Sequence, residues 1–235
     1  MIIKNKICFL VPAKKNSLRL KNKNIKDFKN KPLISYTFDI LKKNNYIKHS
    51  YVSSDSDQII KLAKKYKINV ISKRPSFLSQ SSTETYQVIK YFLSELSKNN
   101  LNYEYIAILQ PTSPLRKATT LKKACNIFFK NNLDSLISVS DIPFKSKFLV
   151  ETKTNYISKK NILKFKNDLF FINGAIYIYK IKELLKKQSL FFENNYIYKM
   201  PFEESIDIDD ISDFNLALKL YSNSKLIWKY VPSFF

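Results

Sequence analysis

A chain of 235 residues with 45% hydrophobic side chains is long enough for one α/β domain with a buried core, and this composition argues against disorder. Two cysteines and one histidine argue against a zinc site or a Cys/His nucleophile, and two isolated thiols indicate a reducing cytoplasm. No apolar run approaches the roughly 20 residues that span a bilayer, so no membrane association is expected.

The formal net charge is +22, from 41 Lys and Arg against 19 Asp and Glu. Such an excess attracts polyanions, including nucleic acid. The lysines are spread along the whole chain, however, while Asn and Ile are abundant and Gly occurs once. This pattern favours a compositional bias, like that of an AT-rich genome, over the alternative of a selected polyanion surface. A nucleic-acid partner is therefore not expected.

Apolar strand-like runs alternate with helical patterns along most of the chain. The patterns predict strands at 7–11, 51–54, 68–71, 105–110 and 135–139, and helices at 33–41, 59–66, 86–96, 121–129 and 214–220. Pro32 suits the start of the first helix and Asp55 the cap of the second. This alternation predicts a Rossmann-like, mainly parallel sheet with helices on both faces.

The alternation lapses in a lysine-rich stretch between about Pro143 and Asp168. That stretch is either a loop without regular structure or an excursion from the main sheet. We predict one α/β domain formed by residues 1–142 and 172–223, an excursion over 143–171, and a C-terminal tail over 224–235.

A polar string, Gln110-Pro-Thr-Ser-Pro-Leu-Arg116, follows the strand predicted at 105–110. Its two prolines prevent the sheet from continuing, so Gln110, Thr112, Ser113 and Arg116 should gather at the carboxyl end of the strand. Ligands bind at this end of the strands in open α/β sheets. From spacing alone, an ordinary strand-to-helix connection explains the string equally well.

The loop after the first predicted strand concentrates positive charge within ten residues, at Lys14, Lys15, Arg19, Lys21 and Lys23. A triphosphate needs such a cluster, because several anionic oxygens must be neutralised together. On composition alone, a solvated basic loop is the simpler interpretation in a chain of this charge.

Gly174, the only glycine of the chain, lies in the run Asn173-Gly-Ala-Ile-Tyr-Ile-Tyr179. A glycine-poor sequence retains glycine where a side chain would intrude, so we expect a close approach of backbone or ligand at Gly174. A tight packing contact would explain this glycine equally well.

Two acids, Asp207 and Asp209, alternate with Ile206 and Ile208. On a strand, both carboxylates would point to one face while the isoleucines enter the core. Two hard oxygen ligands on one face suit Mg²⁺, which takes one or two carboxylates together with substrate phosphates and water. The alternative is an acidic strand end that caps the next helix, a role better suited to Asp210.

Taken together, these motifs resemble the N-acylneuraminate cytidylyltransferases, also called CMP-sialic acid synthetases. Residues 109–116 are similar to the family's LQPTSPLR signature, and residues 12–24 resemble its nucleotide loop, with Asn16 and Asn22 at the two glycine positions. Arg74-Pro75, Asn173–Tyr179 and Ser205–Phe214 resemble three further family motifs.

The resemblance implies that CTP is one substrate. The nucleotide-binding residues carried over from the family are Lys14, Lys15, Asn16, Ser17, Arg19, Lys23, Asn24, Arg74, Thr85 and Gln110. Lys14 stands where the family usually has arginine, and a lysine keeps the charge but loses the planar bidentate fork. Asparagine tolerates the left-handed conformation better than other non-glycine residues, so Asn16 and Asn22 can keep the shape of the loop.

The second substrate implied by the resemblance is a nine-carbon 2-keto sugar acid. The sugar-binding residues carried over are Gln110, Thr112, Ser113, Lys147, Asn173 and Gly174, while Phe171 replaces an arginine of the family's sugar site. Asp207 and Asp209 are implied to hold Mg²⁺. Lys14, Lys23 and Asp209 are the implied catalytic residues.

We therefore expect a cytidylyltransferase that gives a CMP-sugar and pyrophosphate. The resemblance also implies a homodimer, with residues 143–171 as a small dimerisation excursion that reaches into the partner's active site. One alternative is a related enzyme of legionaminic, pseudaminic or KDO type, although the Gln110 string argues against KDO. The other alternative is a non-catalytic basic protein that binds nucleic acid on the same fold.

Overall fold

The structure is a computed structural model that describes residues 6–142, 148–150, 162–164 and 169–222. The strands are β1 (Ile7–Pro12), β2 (Ser50–Ser53), β3 (Tyr105–Ile108), β4 (Ser135–Asp141), β5 (Phe148–Val150), β6 (Ile162–Lys164), β7 (Phe170–Lys180) and β8 (Tyr196–Lys199). The α-helices are α1 (Leu33–Lys43), α2 (Asp57–Lys65), α3 (Thr85–Lys98), α4 (Ala118–Lys130), α5 (Ile181–Lys187) and α6 (Ile211–Ser222). In the described part of the chain, none of the helices combines the length and the apolar character that a membrane crossing requires.

Six strands form one sheet in the order β2-β1-β3-β7-β4-β8. β1 pairs in parallel with β2 and β3, and β4 pairs in parallel with β8, whereas β7 is antiparallel to both of its neighbours. Within this described sheet, β7 alone runs against the other strands. The mainly parallel sheet predicted from the sequence is confirmed, and the carboxyl ends of β1, β2 and β3 lie at the same edge.

Alternate residues of the central strands point into two hydrophobic cores, one on each face of the sheet. Phe9 and Val11 of β1 pack with residues of α1, α2 and α4, whereas Cys8 and Leu10 pack with residues of α3 and α5. Because both faces are covered, β1 is a continuous apolar run instead of an alternating one. The prediction of helices on both faces is confirmed.

A third hydrophobic cluster joins the loop after β1 to the C-terminal part of the domain. Phe28 is completely buried and packs edge-on against Phe214 of α6, with ring centroids 5.5 Å apart. Ile206 and Ile208 belong to the same cluster. Loss of a buried Phe side chain typically costs about 3–5 kcal/mol, so this cluster firmly fixes the segment before α6 relative to the basic loop.

Three local predictions from the sequence differ from the structure. Residues 68–71 leave the sheet edge after one pair, so they form an isolated bridge between Asn69 and Tyr51 instead of a strand. Residues 205–209 do not form a strand, although Ile206 and Ile208 are buried as expected. The cap of α2 is Ser56, whose side chain accepts a hydrogen bond from the Ile59 N–H.

The region predicted as an excursion contains a separate antiparallel sheet of two strands, β5 and β6. The boundaries of the excursion and of the tail stay predictions. Lys147 and residues 224–235 lie outside the described residues.

Candidate active site

A cleft of about 370 Å³ opens beside the carboxyl ends of β1 and β3. Its walls come from the loop after β1, the loop after β3, residues 74–88 and the segment before α6. The volume suits a small organic ligand. The predicted site residues that line the cleft are Lys14, Ser17, Arg19, Lys23, Asn24, Arg74, Thr85, Gln110, Thr112, Asp207 and Asp209.

Other predicted site residues lie away from the cleft wall. Lys15 and Asn16 are exposed on the outside of the basic loop, and Ser113 is completely buried in the turn after β3. Asn173 is buried behind the wall, together with Gly174.

Lys23 connects the basic loop to the acidic segment on the opposite side of the cleft. Its ammonium donates to the carbonyl oxygen of Ile208 at 2.6 Å and to Oδ1 of Asp209 at 3.0 Å. The preceding residue, Asn22, has φ +54°, so it takes the left-handed turn expected of a glycine position. Asn16 is not among the described residues with positive φ, so this position does not require the left-handed backbone that favours glycine.

The two acids of the cleft have different electrostatic environments. Burial tends to raise the pKa of Asp209, but hydrogen bonds and charges from Lys23 and Arg19 outweigh burial and lower that pKa below its usual value. Arg19 Nη2 lies 2.6 Å from Asp209 Oδ2. For Asp207 burial prevails and raises the pKa, and the nearby Asp209 charge acts in the same direction, against a hydrogen bond with Thr112.

The carboxylate pair fits a divalent cation. Oδ1 of Asp207 is buried without a hydrogen-bond partner in the described part of the chain, and such an oxygen is costly unless a cation or donor reaches it. Two carboxylates are the hard ligands that Mg²⁺ prefers. No group of three or more ligating side chains occurs among the described residues. A cation held by Asp207 and Asp209 would therefore need substrate oxygens and water to complete its shell.

The neighbouring acids Asp210 and Asp213 stabilise the start of α6 instead. Oδ1 of Asp210 accepts hydrogen bonds from the N–H groups of Ser212 and Asp213. Oδ2 of Asp213 accepts from the N–H groups of Asp209 and Asp210, at 2.9 and 3.1 Å. The capping role predicted for Asp210 agrees with these contacts, and Asp207 and Asp209 are left to face the cleft.

Gly174 marks a tight packing contact with a side chain, which is the alternative that the sequence left open, and not a close approach of backbone. It has φ +69°, and a Cβ atom at this position would lie 2.5 Å from Oε1 of Gln110. The side chain of the neighbouring Asn173 makes its hydrogen bonds within the protein interior. It accepts from the Ser138 hydroxyl at 2.6 Å and donates to the Ser140 hydroxyl at 2.7 Å. β7 therefore supports Gln110 from behind, and Gln110 is the side chain that faces the cleft.

Arg116 lies on the interior side of the loop after β3 and does not line the cleft. Its guanidinium donates to the carbonyl oxygen of Ala175 and, at 3.0 Å, to Oγ1 of Thr37. Burial lowers the pKa of Arg116 to about 9. The expected gathering of polar groups at the cleft holds for Gln110 and Thr112, whereas Arg116 ties the loop to β7 and α1.

Arg74 forms a buried basic part of the cleft wall. Its backbone N–H donates to the carbonyl oxygen of Ser54 at 2.9 Å, and its Nη2 lies 3.6 Å from Oδ1 of Asp55. Burial lowers the pKa of Arg74, and the Asp55 charge opposes this change. Nε and Nη2 have no hydrogen-bond partner among the described residues, so the guanidinium keeps unused donors beside the cleft.

Further residues line the cleft that the sequence motifs did not single out: Pro12, Leu18, Gln80, Ser81, Thr83, Val88 and Pro111. The available signal for Gln80, Ser81 and Thr83 was the polar run that precedes α3 in the sequence. Nothing in the sequence indicated that Leu18 and Val88 line the cleft, because apolar residues in a loop or helix usually pack against the core.

The sheet, the cationic loop and the facing carboxylates define an α/β protein of the nucleotidyltransferase type. A family model described as cytidylyltransferase matches residues 8–228. The chain therefore belongs to the cytidylyltransferase family.

Individual relatives support the resemblance found in the motifs. An N-acylneuraminate cytidylyltransferase of Streptococcus agalactiae serotype V is 30% identical over 217 residues, which is 88% of this chain and 51% of the relative. A CMP-N,N'-diacetyllegionaminic acid synthase of Legionella pneumophila is 29% identical over 223 residues, 92% of this chain and 96% of the relative. The chain thus spans about half the length of the first relative and nearly all of the second.

A solved structure of a 4-diphosphocytidyl-2C-methyl-D-erythritol synthase has the same fold. The TM-score is 0.70 with 11% sequence identity, and the match covers 92% of this chain and 98% of that one. At this identity the likeness concerns the fold alone.

Proposed function

We propose that this protein transfers the cytidylyl group of CTP to a sialic-acid-like nine-carbon 2-keto sugar acid, giving a CMP-sugar and pyrophosphate. The observation that carries this proposal is one cleft in which Lys14, Arg19 and Lys23 face the acids Asp207 and Asp209. A nucleoside triphosphate needs cations for its phosphates and carboxylates for its metal, and both sets are in this cleft.

The basic loop would bind the triphosphate, and the wall opposite would bind the nucleoside. Lys14, Arg19 and Lys23 can neutralise the phosphate oxygens. Arg74 offers two donors at the cleft wall, and Thr85 opens α3 beside it, so these residues suit the ribose or the base. Lys14 supplies charge without the planar fork of an arginine.

Asp207 and Asp209 would hold Mg²⁺, which when bound supplies charge neutralisation and polarisation at the reacting phosphate. Asp207 contributes the oxygen that lacks a partner in the described residues. Asp209 is already paired with Lys23 and Arg19. With a cation held by Asp209, these two basic side chains would be free to pair with the phosphates.

In the reaction, the anomeric hydroxyl oxygen of the sugar acid bonds to the α-phosphorus as the bond to the pyrophosphate oxygen breaks. The protein aligns these groups and spreads the developing charge. Asp209 is the proposed acceptor of the hydroxyl proton.

Gln110 and Thr112 would contact the sugar acid directly, since both line the cleft. Ser113, Asn173 and Gly174 would act from behind the wall by fixing the backbone and the Gln110 side chain. Lys147 would reach the sugar from the excursion. The match over nearly the whole length of the Legionella synthase makes legionaminic acid as strong a candidate as sialic acid.

We also propose a cytoplasmic homodimer. The separate β5–β6 sheet suits a dimerisation element, and Ile172 at the adjoining end of β7 is an isoleucine with 45% exposure. Both cysteines are buried and free, as expected in a reducing compartment that supplies CTP.

Pyrophosphate release tests the function. CTP is incubated with N-acetylneuraminic, legionaminic and pseudaminic acids and KDO, with and without Mg²⁺, and products are identified by mass spectrometry. We expect Mg²⁺-dependent release and a CMP-sugar with at least one of the nine-carbon acids, and none with KDO. Absence of release with every acid, together with salt-sensitive DNA binding, would support the nucleic-acid-binding alternative instead.

A further inference from the structure

Asp55, which the sequence predicted as the cap of α2, instead contacts Lys15 and Arg74 in two other segments of the chain. It follows directly after β2, and its side chain is 18% exposed. Its Oδ1 accepts a hydrogen bond of 2.8 Å from the backbone N–H of Lys15. Because Ser56 caps α2, the carboxylate of Asp55 serves neighbours outside its own helix.

The same oxygen faces the buried guanidinium of Arg74. The distance from Asp55 Oδ1 to Arg74 Nη2 is 3.6 Å, and the Arg74 side chain is only 4% exposed. Within the described ranges, Asp55 is the one carboxylate at ion-pair distance from Arg74. A buried guanidinium without a counter-charge is strongly destabilised, so Asp55 supplies the counter-charge that holds Arg74 against the cleft wall.

One carboxylate oxygen therefore connects two walls of the cleft. On one side it holds the start of the basic loop, which is also attached to β2 through the Ala13 N–H and the Ser53 carbonyl at 3.0 Å. On the other side it faces Arg74, whose backbone is attached to Ser54. Asp55 itself is not among the described residues that line the cleft.

We infer that Asp55 is a positioning residue for CTP, which acts through Arg74 and through the backbone of the basic loop without touching the substrate. This inference rests on the proposed function, because it takes the basic loop as the phosphate site and Arg74 as a nucleoside contact. Asp55 thus fixes the distance between the phosphate site in the basic loop and the nucleoside contact at Arg74.

Asp55→Asn removes the negative charge alone, because the asparagine side-chain oxygen can still accept the hydrogen bond from the Lys15 N–H. Asp57→Asn is the matched control, since Asp57 is an acid two residues further along with an 81% exposed side chain that pairs with Lys73 at the surface. CTP affinity is measured by calorimetry in the full chain, apart from turnover. D55N is expected to weaken CTP binding about tenfold, equivalent to roughly 1.4 kcal/mol, whereas D57N stays within about twofold.

The sign of the change separates positioning from simple electrostatics. Removal of a negative charge near the cleft should strengthen the binding of anionic CTP if Asp55 acts only through its field. A positioning role predicts weaker binding. In steady-state kinetics, D55N should raise KM for CTP while kcat and KM for the sugar acid change by less than about threefold. Partial unfolding would instead lower kcat with KM unchanged.

A double-mutant cycle tests whether Asp55 acts through Arg74. R74M should weaken CTP binding, and D55N/R74M should bind CTP as R74M does, because the group that Asp55 holds is gone. D55N alone leaves the buried Arg74 guanidinium without a counter-charge, whereas D55N/R74M contains no buried charge at either position. The comparison of D55N/R74M with R74M can therefore be made even if D55N alone does not fold.

Unchanged or tighter CTP binding by D55N would overturn the inference, as would a D55N effect that persists in full in the R74M background. A failure of the proposed function would look different. In that case the wild-type protein would bind CTP but transfer no cytidylyl group to any of the sugar acids, while the D55N comparison could still be made.

Discussion

Substitution of Gly174 by alanine tests how the cleft wall is built. The glycine has φ +69°, and an added Cβ would lie 2.5 Å from Oε1 of Gln110. The substitution therefore places a methyl group where the Gln110 side chain now lies, on a backbone that alanine rarely adopts.

The cost has two parts. A left-handed backbone costs an L-residue about 1–2 kcal/mol, and forcing Gln110 from its rotamer adds about 0.5–1.5 kcal/mol. G174A should therefore lower the free energy of unfolding by about 2–3 kcal/mol, or roughly 5–10 °C in Tm. Loss of the Gln110 contact should raise KM for the sugar acid about tenfold, since a lost hydrogen bond costs about 1–1.5 kcal/mol.

The assay is a double-mutant cycle followed by chemical denaturation and by steady-state kinetics. In a Gln110→Ala background there is no side chain to displace, so G174A should cost only the backbone part, about 1–2 kcal/mol. KM for the sugar acid should then be the same in Q110A and in Q110A/G174A. An equal stability cost in both backgrounds, with KM unaffected by G174A alone, would refute the claim that Gly174 exists to accommodate Gln110.

Three further predictions concern the metal, the phosphates and pH. Asp207→Asn removes a proposed metal ligand, so kcat/KM should fall by at least about 100-fold at every Mg²⁺ concentration titrated. Lys23→Ala should lower kcat/KM by about 100-fold, whereas Lys21→Ala, on the exposed side of the loop, should stay within about twofold, as initial rates will show. Burial, with a contribution from Lys48, lowers the pKa of His49 in the folded protein below the ordinary 6.5, so the unfolded chain binds more protons. Stability should therefore decrease as pH falls through 6.5, and His49→Gln should flatten that part of a denaturation series run between about pH 5 and 7.5.

Elements that pack on both sides were predictable from the sequence, because burial leaves a strong apolar pattern. β1 is such an element, and α3 buries one strongly apolar face; their predicted bounds differ from the observed ones by one or two residues. β8 was missed because it lies at the sheet edge with mostly exposed residues, so it lacks a clear alternation. α5 was missed because seven residues are too short for a helical period to stand out.

The residues that line the cleft were predictable where they belong to a family motif. The contacts of Asp55 were not, because Lys15 lies forty residues away in the chain and the position before a helix suggested a cap. Arg116 was misplaced for the same reason, since its partner Thr37 is 79 residues distant. Local patterns identify which residue types are present, whereas the fold decides whether a polar side chain faces the cleft or the interior.

The central claim is that Asp207 and Asp209 hold a divalent cation opposite Lys23, with the triphosphate of CTP between them. Crystals of the protein with CTP and Mn²⁺ in place of Mg²⁺ allow the metal to be located by anomalous scattering. We expect an anomalous peak bound by both carboxylates and by phosphate oxygens, with Lys23 turned from Asp209 to the phosphates. A metal–CTP complex bound elsewhere, with Lys23 still paired to Asp209, would contradict it.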